Sequence, residues 1–255
     1  MNNGKTRNSS LVMMVLIGAI FLLVFVMIVI GRITISHYAS VESDNDHDWQ
    51  RVDFSRMDTT EFDVRDFRSI SFIGSWEVDL EQGDDWHVEL TYPRDLEDQI
   101  EVELRGDELS LNPGRRGAYN WGWGWWHNDN RRLSARITMP ELTALNIAGA
   151  SDMDLNGFDG KSLTITISGA ANIDGDDGHY DSLHLTMSGA GDVDLRNMQF
   201  VDANVILSGA GNVELGMNGG VLSGNLSGFG NIEYSGNVRD ERVNVSGFGK
   251  VHRRN

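Results

Sequence analysis

Six glycines, Gly149, Gly169, Gly189, Gly209, Gly228 and Gly247, recur at spacings of 20, 20, 20, 19 and 19 residues. Each marks a copy of one short phrase. It reads LTITISGAANIDG from Leu163 and LHLTMSGAGDVDL from Leu183, with LNIAGASDMDL before and VILSGAGNVEL, NLSGFGNIEY and VNVSGFGKV after. A period this regular predicts a repeat architecture. Within a copy, apolar and polar residues alternate: Leu163, Ile165 and Ile167 interleave with Thr164, Thr166 and Ser168. Period two with β-branched residues is the signature of a half-buried strand. A second short strand follows each glycine, as at Val193 and Leu195. The small-residue corner between them suits a sharp turn, because glycine admits positive φ.

One copy cannot fold alone. About five buried aliphatic side chains contribute roughly 7 to 15 kcal/mol. Ordering about twenty residues costs roughly 20 to 40 kcal/mol of backbone entropy. The copies must therefore stack, each covering its neighbour's open ladder. The expected fold is all-β, a parallel β-helix or solenoid of about 20-residue coils. An antiparallel sandwich is the alternative, but hairpins require no fixed period.

Stacking aligns equivalent side chains. Asp154, Asp174, Asp194, Glu214 and Glu233 are expected to form one ladder, and Asp152, Asn172, Asp192, Asn212 and Asn231 another. Asparagine ladders bond rung to rung. Like charges at strand spacing repel, so the acidic ladder is either solvated or a site for a hard divalent cation held through oxygen. No other cofactor is expected. The second candidate site is the insertion Asn112 to Arg132, NPGRRGAYNWGWGWWHNDNRR. Its Tyr119, Trp121, Trp123, Trp125 and Trp126 sit among glycines and arginines. They either fold back over the solenoid wall or form a platform for an envelope glycan, a protein partner or the membrane interface.

Ahead of the repeats, residues 1–10 form a polar tail with Lys5 and Arg7. Leu11 to Ile30 is an uncharged, apolar run of 20 residues, about 30 Å as a helix, which is long enough to span a bilayer. A cleaved signal sequence would have a shorter apolar region and a small-residue cleavage site. The flanking charge places the N-terminus in the cytoplasm. Residues 31–61 read as a stalk with Glu42, Asp44, Asp46 and Asp48. The solenoid domain is expected at 62–252, with an irregular capping part at 62–142 and regular repeats at 143–252. The protein is thus read as a single-pass protein of the bacterial inner membrane, with its C-terminal domain outside the cytoplasm.

Much chemistry is excluded. The chain has no cysteine, so disulfides, thiol chemistry and a lipid-anchoring cysteine are impossible. A net charge of −17 argues against nucleic acid despite the basic end at Lys250, His252, Arg253 and Arg254. Gly160-Lys161-Ser162 lacks the upstream glycine of a phosphate-binding loop, since Leu155 stands there. In Gly189-Ala190-Gly191 and its relatives, Asp194 or Glu214 replaces the third glycine of a dinucleotide fingerprint, and no helix follows. His179, beside Asp176, Asp177 and Asp181, reads as part of a solvated turn. No nucleophile elbow and no His-Glu-x-x-His pair occur.

The SGAG repeats, with SISFIGSWEVDL, EQGDDWHVELTYPRDL, IEVELRGDELSL and ITMPELTALNIAG upstream in order, resemble the bacterial family called putative auto-transporter adhesin, head GIN domain. The resemblance covers roughly Phe62 to Lys250. It implies a β-solenoid on the outer side of a bacterial membrane and implies no reaction. The expected role is therefore a non-enzymatic, adhesin-like binding module. The alternatives are an envelope-stress or signalling accessory acting through a protein partner, and a carbohydrate-active enzyme, for which fold alone is weak support.

Overall fold

The computed structural model describes residues 52–114 and 133–254. The expected membrane helix at Leu11–Ile30 and nearly all of the Trp-rich insertion lie outside the described residues. Among the described residues no helix is long and apolar enough to cross a membrane. The chain runs β1 (Met57–Phe62), β2 (Ser69–Gln82), β3 (His87–Pro93), a 3-10 turn at Arg94–Gln99, β4 (Glu101–Arg105), β5 (Glu108–Asn112), β6 (Leu133–Met139), β7 (Ala144–Asn156), β8 (Asp159–Ile167), β9 (Ala170–Met187), β10 (Val193–Leu207), β11 (Ala210–Asn218), β12 (Val221–Leu226), β13 (Phe229–Asn237), β14 (Asp240–Val245) and β15 (Phe248–Arg253). The stalk boundary expected at Glu61 falls inside β1, which pairs with β3; Val52 already packs against the core.

The parallel solenoid is present. Several strands are long because they bend at a corner and serve two walls. β2 pairs with β5 through Ser69–Phe72 and with β6 through Trp76–Gln82. The first wall stacks β5, β2, β7, β8, β9, β10, β12 and β14. The second stacks β6, β2, β7, β9, β10, β11, β13 and β15. Every one of these pairs is parallel, in the register of the repeat: Leu163 faces Leu183, and Leu183 faces Ala203. The alternating apolar residues point inward as one core, in which Ile165, Leu185 and Val205 are all at most 1% exposed.

At the N-terminal side the walls change character. β3 and β1 extend the second wall antiparallel beyond β6, and β4 extends the first antiparallel beyond β5. β3 and β4 lie within 62–142, whereas β1 begins ahead of it at Met57. β5 and β6 follow β2 in the chain but lie outside it in the stack, so this end is closed by a crossover rather than by simple winding. Phe67, Leu96 and Trp76 seal it from below, and the Trp86 indole donates to the Phe67 carbonyl at 2.8 Å.

The positive φ expected at the corner falls on its second glycine, at Gly191, Gly211 and Gly230, and the repeat-marking glycine ahead of it answers to a different demand. At Gly149, Gly169, Gly189 and Gly209 no positive φ occurs. Instead, a Cβ on each would collide with the carbonyl oxygen of the equivalent glycine one coil earlier, in the unbroken series Gly74, Gly149, Gly169, Gly189, Gly209. Backbone packs on backbone at this corner, and any side chain would wedge the coils apart. The serine before each glycine ties the coils together: Ser168, Ser188 and Ser208 donate N–H groups to Ile147, Ile167 and Met187, each at 2.9 Å.

Candidate functional site

The second wall presents an outward face two strand positions wide, plus the corner beside it. Its inner column is the Asn/Asp ladder, and the side chains bond continuously from coil to coil. Asn172 donates Nδ2–H to Asp152 at 2.9 Å. The Asp192 N–H donates to the Asn172 oxygen at 3.4 Å. Asn212 donates both its N–H and its Nδ2–H to Asp192 at 2.9 Å, and Asn231 donates to Asn212 at 3.0 Å. Carboxylates and amides alternate through Asp152, Asn172, Asp192 and Asn212, and the last rung pairs two amides, Asn231 on Asn212, so each side-chain oxygen serves as an acceptor for the next coil.

The next column holds Asp154, Asp174, Asp194, Glu214 and Glu233 in register, as expected. The structure adds Asp79 ahead of Asp154 and His252 after Glu233. It also adds cations that the repeat pattern does not show. Arg196 forks onto Asp194 and reaches Glu214 at 3.4 Å. Arg254 lies 3.2 Å from Glu214 and 3.5 Å from Glu233, and His252 lies 2.9 Å from Glu233. At the far end Arg136 reaches Asp79 at 3.6 Å. The ladder is therefore divided. Hydrogen bonding from Arg196 holds the Asp194 carboxyl below its ordinary range. Asp154 moves the other way, raised first by burial and then by Asp79, Asp174 and Asp176.

This division bears on the cation site. Consecutive rungs project their carboxylates side by side rather than toward a common point. Among the described residues no three His, Asp or Glu side chains converge closely enough to hold a metal ion. Toward the C-terminal end, arginines already neutralise Asp194, Glu214 and Glu233.

The corner column carries the third feature. Ala170, Ala190 and Ala210 line up there. Phe229 follows Ala210 in register, and Phe248 follows Phe229. The two rings stack at 5.1 Å with planes 8° apart, yet they are 63% and 76% exposed. Sequence reasoning passed over them, although the change from SGAG to SGFG is visible in the last two repeats.

Tyr119, Trp121, Trp123, Trp125 and Trp126 lie outside the described residues, but their attachment is defined. β5 leaves β2 after Leu111, which lies beside Phe72, and β6 begins with Leu133 beside Trp76. The insertion thus replaces, in one coil, the three-residue corner Ile73-Gly74-Ser75 of β2. It springs from the same corner that bears Phe229 and Phe248 further along. The remaining sequence candidates stay dispersed. His179 is exposed within the strand β9 rather than in a turn, and Gly160-Lys161-Ser162 lies in the strand β8, where no helix N-terminus is available to a phosphate.

The fold and its repeats have relatives. A putative adhesin from Bacteroides fragilis superposes with a TM-score of 0.56 at 16% identity, covering 78% of this chain and 97% of that one. A putative adhesin from Parabacteroides merdae aligns at 15% identity and a TM-score of 0.42, covering 77% and 96%. A putative lipid binding protein from Parabacteroides distasonis aligns at 18% identity and 0.41, covering 77% and 97%. No curated protein matches the sequence. Residues 66–198 and 187–255 match the pattern of one family, and the chain belongs to it: putative auto-transporter adhesin, head GIN domain.

Proposed function

We propose that this protein is a non-enzymatic binding module of the bacterial envelope, held at the inner membrane by Leu11–Ile30 with its solenoid outside the cytoplasm. One observation carries the reading. The solenoid's corner is built from backbone packed on backbone, yet Phe229 and Phe248 stand exposed and stacked on it, and the sequence inserts its Trp-rich segment between β5 and β6. A rigid ridge with aromatic side chains in water is costly for folding and suited to contact, since aromatics dominate interface energetics. The adhesin names of the relatives in Bacteroides fragilis and Parabacteroides merdae agree with such a role.

The test is binding of the purified full chain to envelope preparations, beside a variant with Trp121, Trp123, Trp125 and Trp126 changed to Ser. The expected result is lost binding at an unchanged melting temperature. Undiminished binding, or a collapse of the melting transition, would show that the insertion covers the wall instead. The anchor is checked separately: the chain should pellet with membranes after a carbonate wash and keep its N-terminus.

A further inference from the structure

The two ends of the solenoid are unlike. The N-terminal end is closed by antiparallel strands, whereas among the described residues β14 pairs only with β12, and β15 only with β13. Phe248 and Arg254 donate their N–H groups back to Gly228 and Tyr234 at 2.9 and 2.8 Å. In a parallel ladder alternate residues address the same neighbour. Gly249, Val251 and Arg253 therefore turn their backbone N–H and C=O groups away from the stack. In an interior coil the equivalent groups are used: Ala171 and Ile173 donate to Ala190 and Asp192 of the next coil, both at 3.0 Å. Among the described residues no strand takes the corresponding groups of β15.

Its side chains state what would fit. Val245 is 41% exposed and Phe248 76% exposed, and the outer face of the Phe248 ring is the open end of the Phe229 stack. Residues 239–254 hold five Lys and Arg against two Asp and Glu, in a chain of net charge −17. Arg254 is engaged by Glu214 and Glu233, but among the described residues Lys250 and Arg239 have no ion pair. Basic side chains along an edge oppose pairing with a second copy of the same edge.

We propose that the β14–β15 edge binds an extended acidic segment of another protein, which adds to the solenoid as a further rung. Main-chain bonds from Gly249, Val251 and Arg253 supply affinity, as in other strand-addition complexes. Lys250 selects acidic side chains on the outward face, where Phe248 also lies and stacks an aromatic or apolar residue in register, while Arg253, in the Tyr234 column on the opposite face, adds to the positive charge of the edge. The inference rests on the domain being a binding module and adds a site distinct from the insertion.

The probe is a labelled synthetic peptide of alternating glutamate and valine with one central phenylalanine, titrated against the full chain. The parent binds it. Val251→Pro, which removes an outward N–H on an edge where proline is tolerated, and the double variant Lys250→Glu with Arg253→Glu each weaken binding by about tenfold or more. The double variant keeps the test decisive if the proline disturbs the last coil. Equal binding of a proline-interrupted peptide of the same charge would overturn strand addition, because only charge would then be read. So would a dimer in sedimentation that Val251→Pro dissociates, since a second copy would then be the occupant. Absent peptide binding with intact binding to envelopes would overturn this inference and leave the module reading standing. Absent binding of both kinds would overturn the two together.

Discussion

The carbonyl oxygen of Gly149 occupies the space that a Cβ on Gly169 would need, and Gly169 stands in the same relation to Gly189. One contact repeated up the corner column explains the 20-residue period better than any turn preference. A side chain at one rung separates two coils and spoils the register of both walls.

Gly189→Ala is therefore expected to destabilise the domain by about 3 kcal/mol or more, as overpacking against rigid backbone does. Gly157→Ala is the control. Gly157 has φ +75° and nothing within 4 Å of a new Cβ, so it carries only the left-handed backbone penalty of about 1–2 kcal/mol. Urea midpoints of the two variants measure the difference. Equal losses would return the glycines to a role in turn geometry.

Ser151 offers the opposite case. It is 4% exposed, and its hydroxyl has no partner among the described residues. In the next coil its register mate is Ala171. Ser151→Ala removes an unpaired buried polar group and installs the neighbour's own residue, so a gain of about 1 kcal/mol is expected. A loss on thermal or urea unfolding would show that the hydroxyl has found a bond.

The repeat made the coils, the inward residues and both outward ladders legible, because each depends only on period and alternation. Less legible was what breaks the period. Arg196 and Arg254 neutralise the acidic ladder from the same place in their repeats, two residues after the ladder position, but Asn156, Asp176, Gly216 and Ser235 fill that place in the other coils, so no continuous basic column announced them. Phe229 and Phe248 were read as repeat variants because SGFG scans like SGAG; only their exposure and mutual stacking make them a feature. The crossover that puts β5 and β6 outside β2 is a long-range pairing, which local pattern does not encode. Positive φ accounts for the second corner glycine, as at Gly191, Gly211 and Gly230, but not for the first, since a clash between coils is invisible until the coils are stacked.

Asp192 joins three rungs of the inner ladder. It accepts two bonds from Asn212 and donates its own N–H to Asn172. Asp192→Ala should cost about 1–2 kcal/mol, because the Asn212 donors lose their acceptor. Asp192→Asn keeps an oxygen in place and should recover most of that loss. If asparagine is no better than alanine in denaturant titrations, charge rather than hydrogen bonding holds the column.

Asp154 and Asp194 stand in one column and should respond to pH with opposite signs. Asp194 is held low in the folded protein, chiefly by its hydrogen bonds from Arg196. Its contribution is present above the unfolded carboxylate value of about 3.9 and fades as pH falls through its lower folded value. Asp154 is raised by burial and by Asp79, Asp174 and Asp176. The folded state then holds its proton more tightly than the unfolded chain does. Stability is lost as pH rises from about 3.9 through the raised value, and the penalty is complete above it. At neutral pH Asp154→Asn should therefore stabilise and Asp194→Asn destabilise, each by about 1 kcal/mol or less given their access to water. In strong acid, where both carboxyls are protonated in either state, both differences should shrink toward zero. Salt should narrow the Asp154 effect as well, since repulsion between partly exposed charges is screened. Melting curves of the parent and the two variants across pH decide the matter. A stabilising Asp194→Asn would mean that Arg196 does not neutralise the ladder, and a destabilising Asp154→Asn would mean that this carboxylate has a cation of its own.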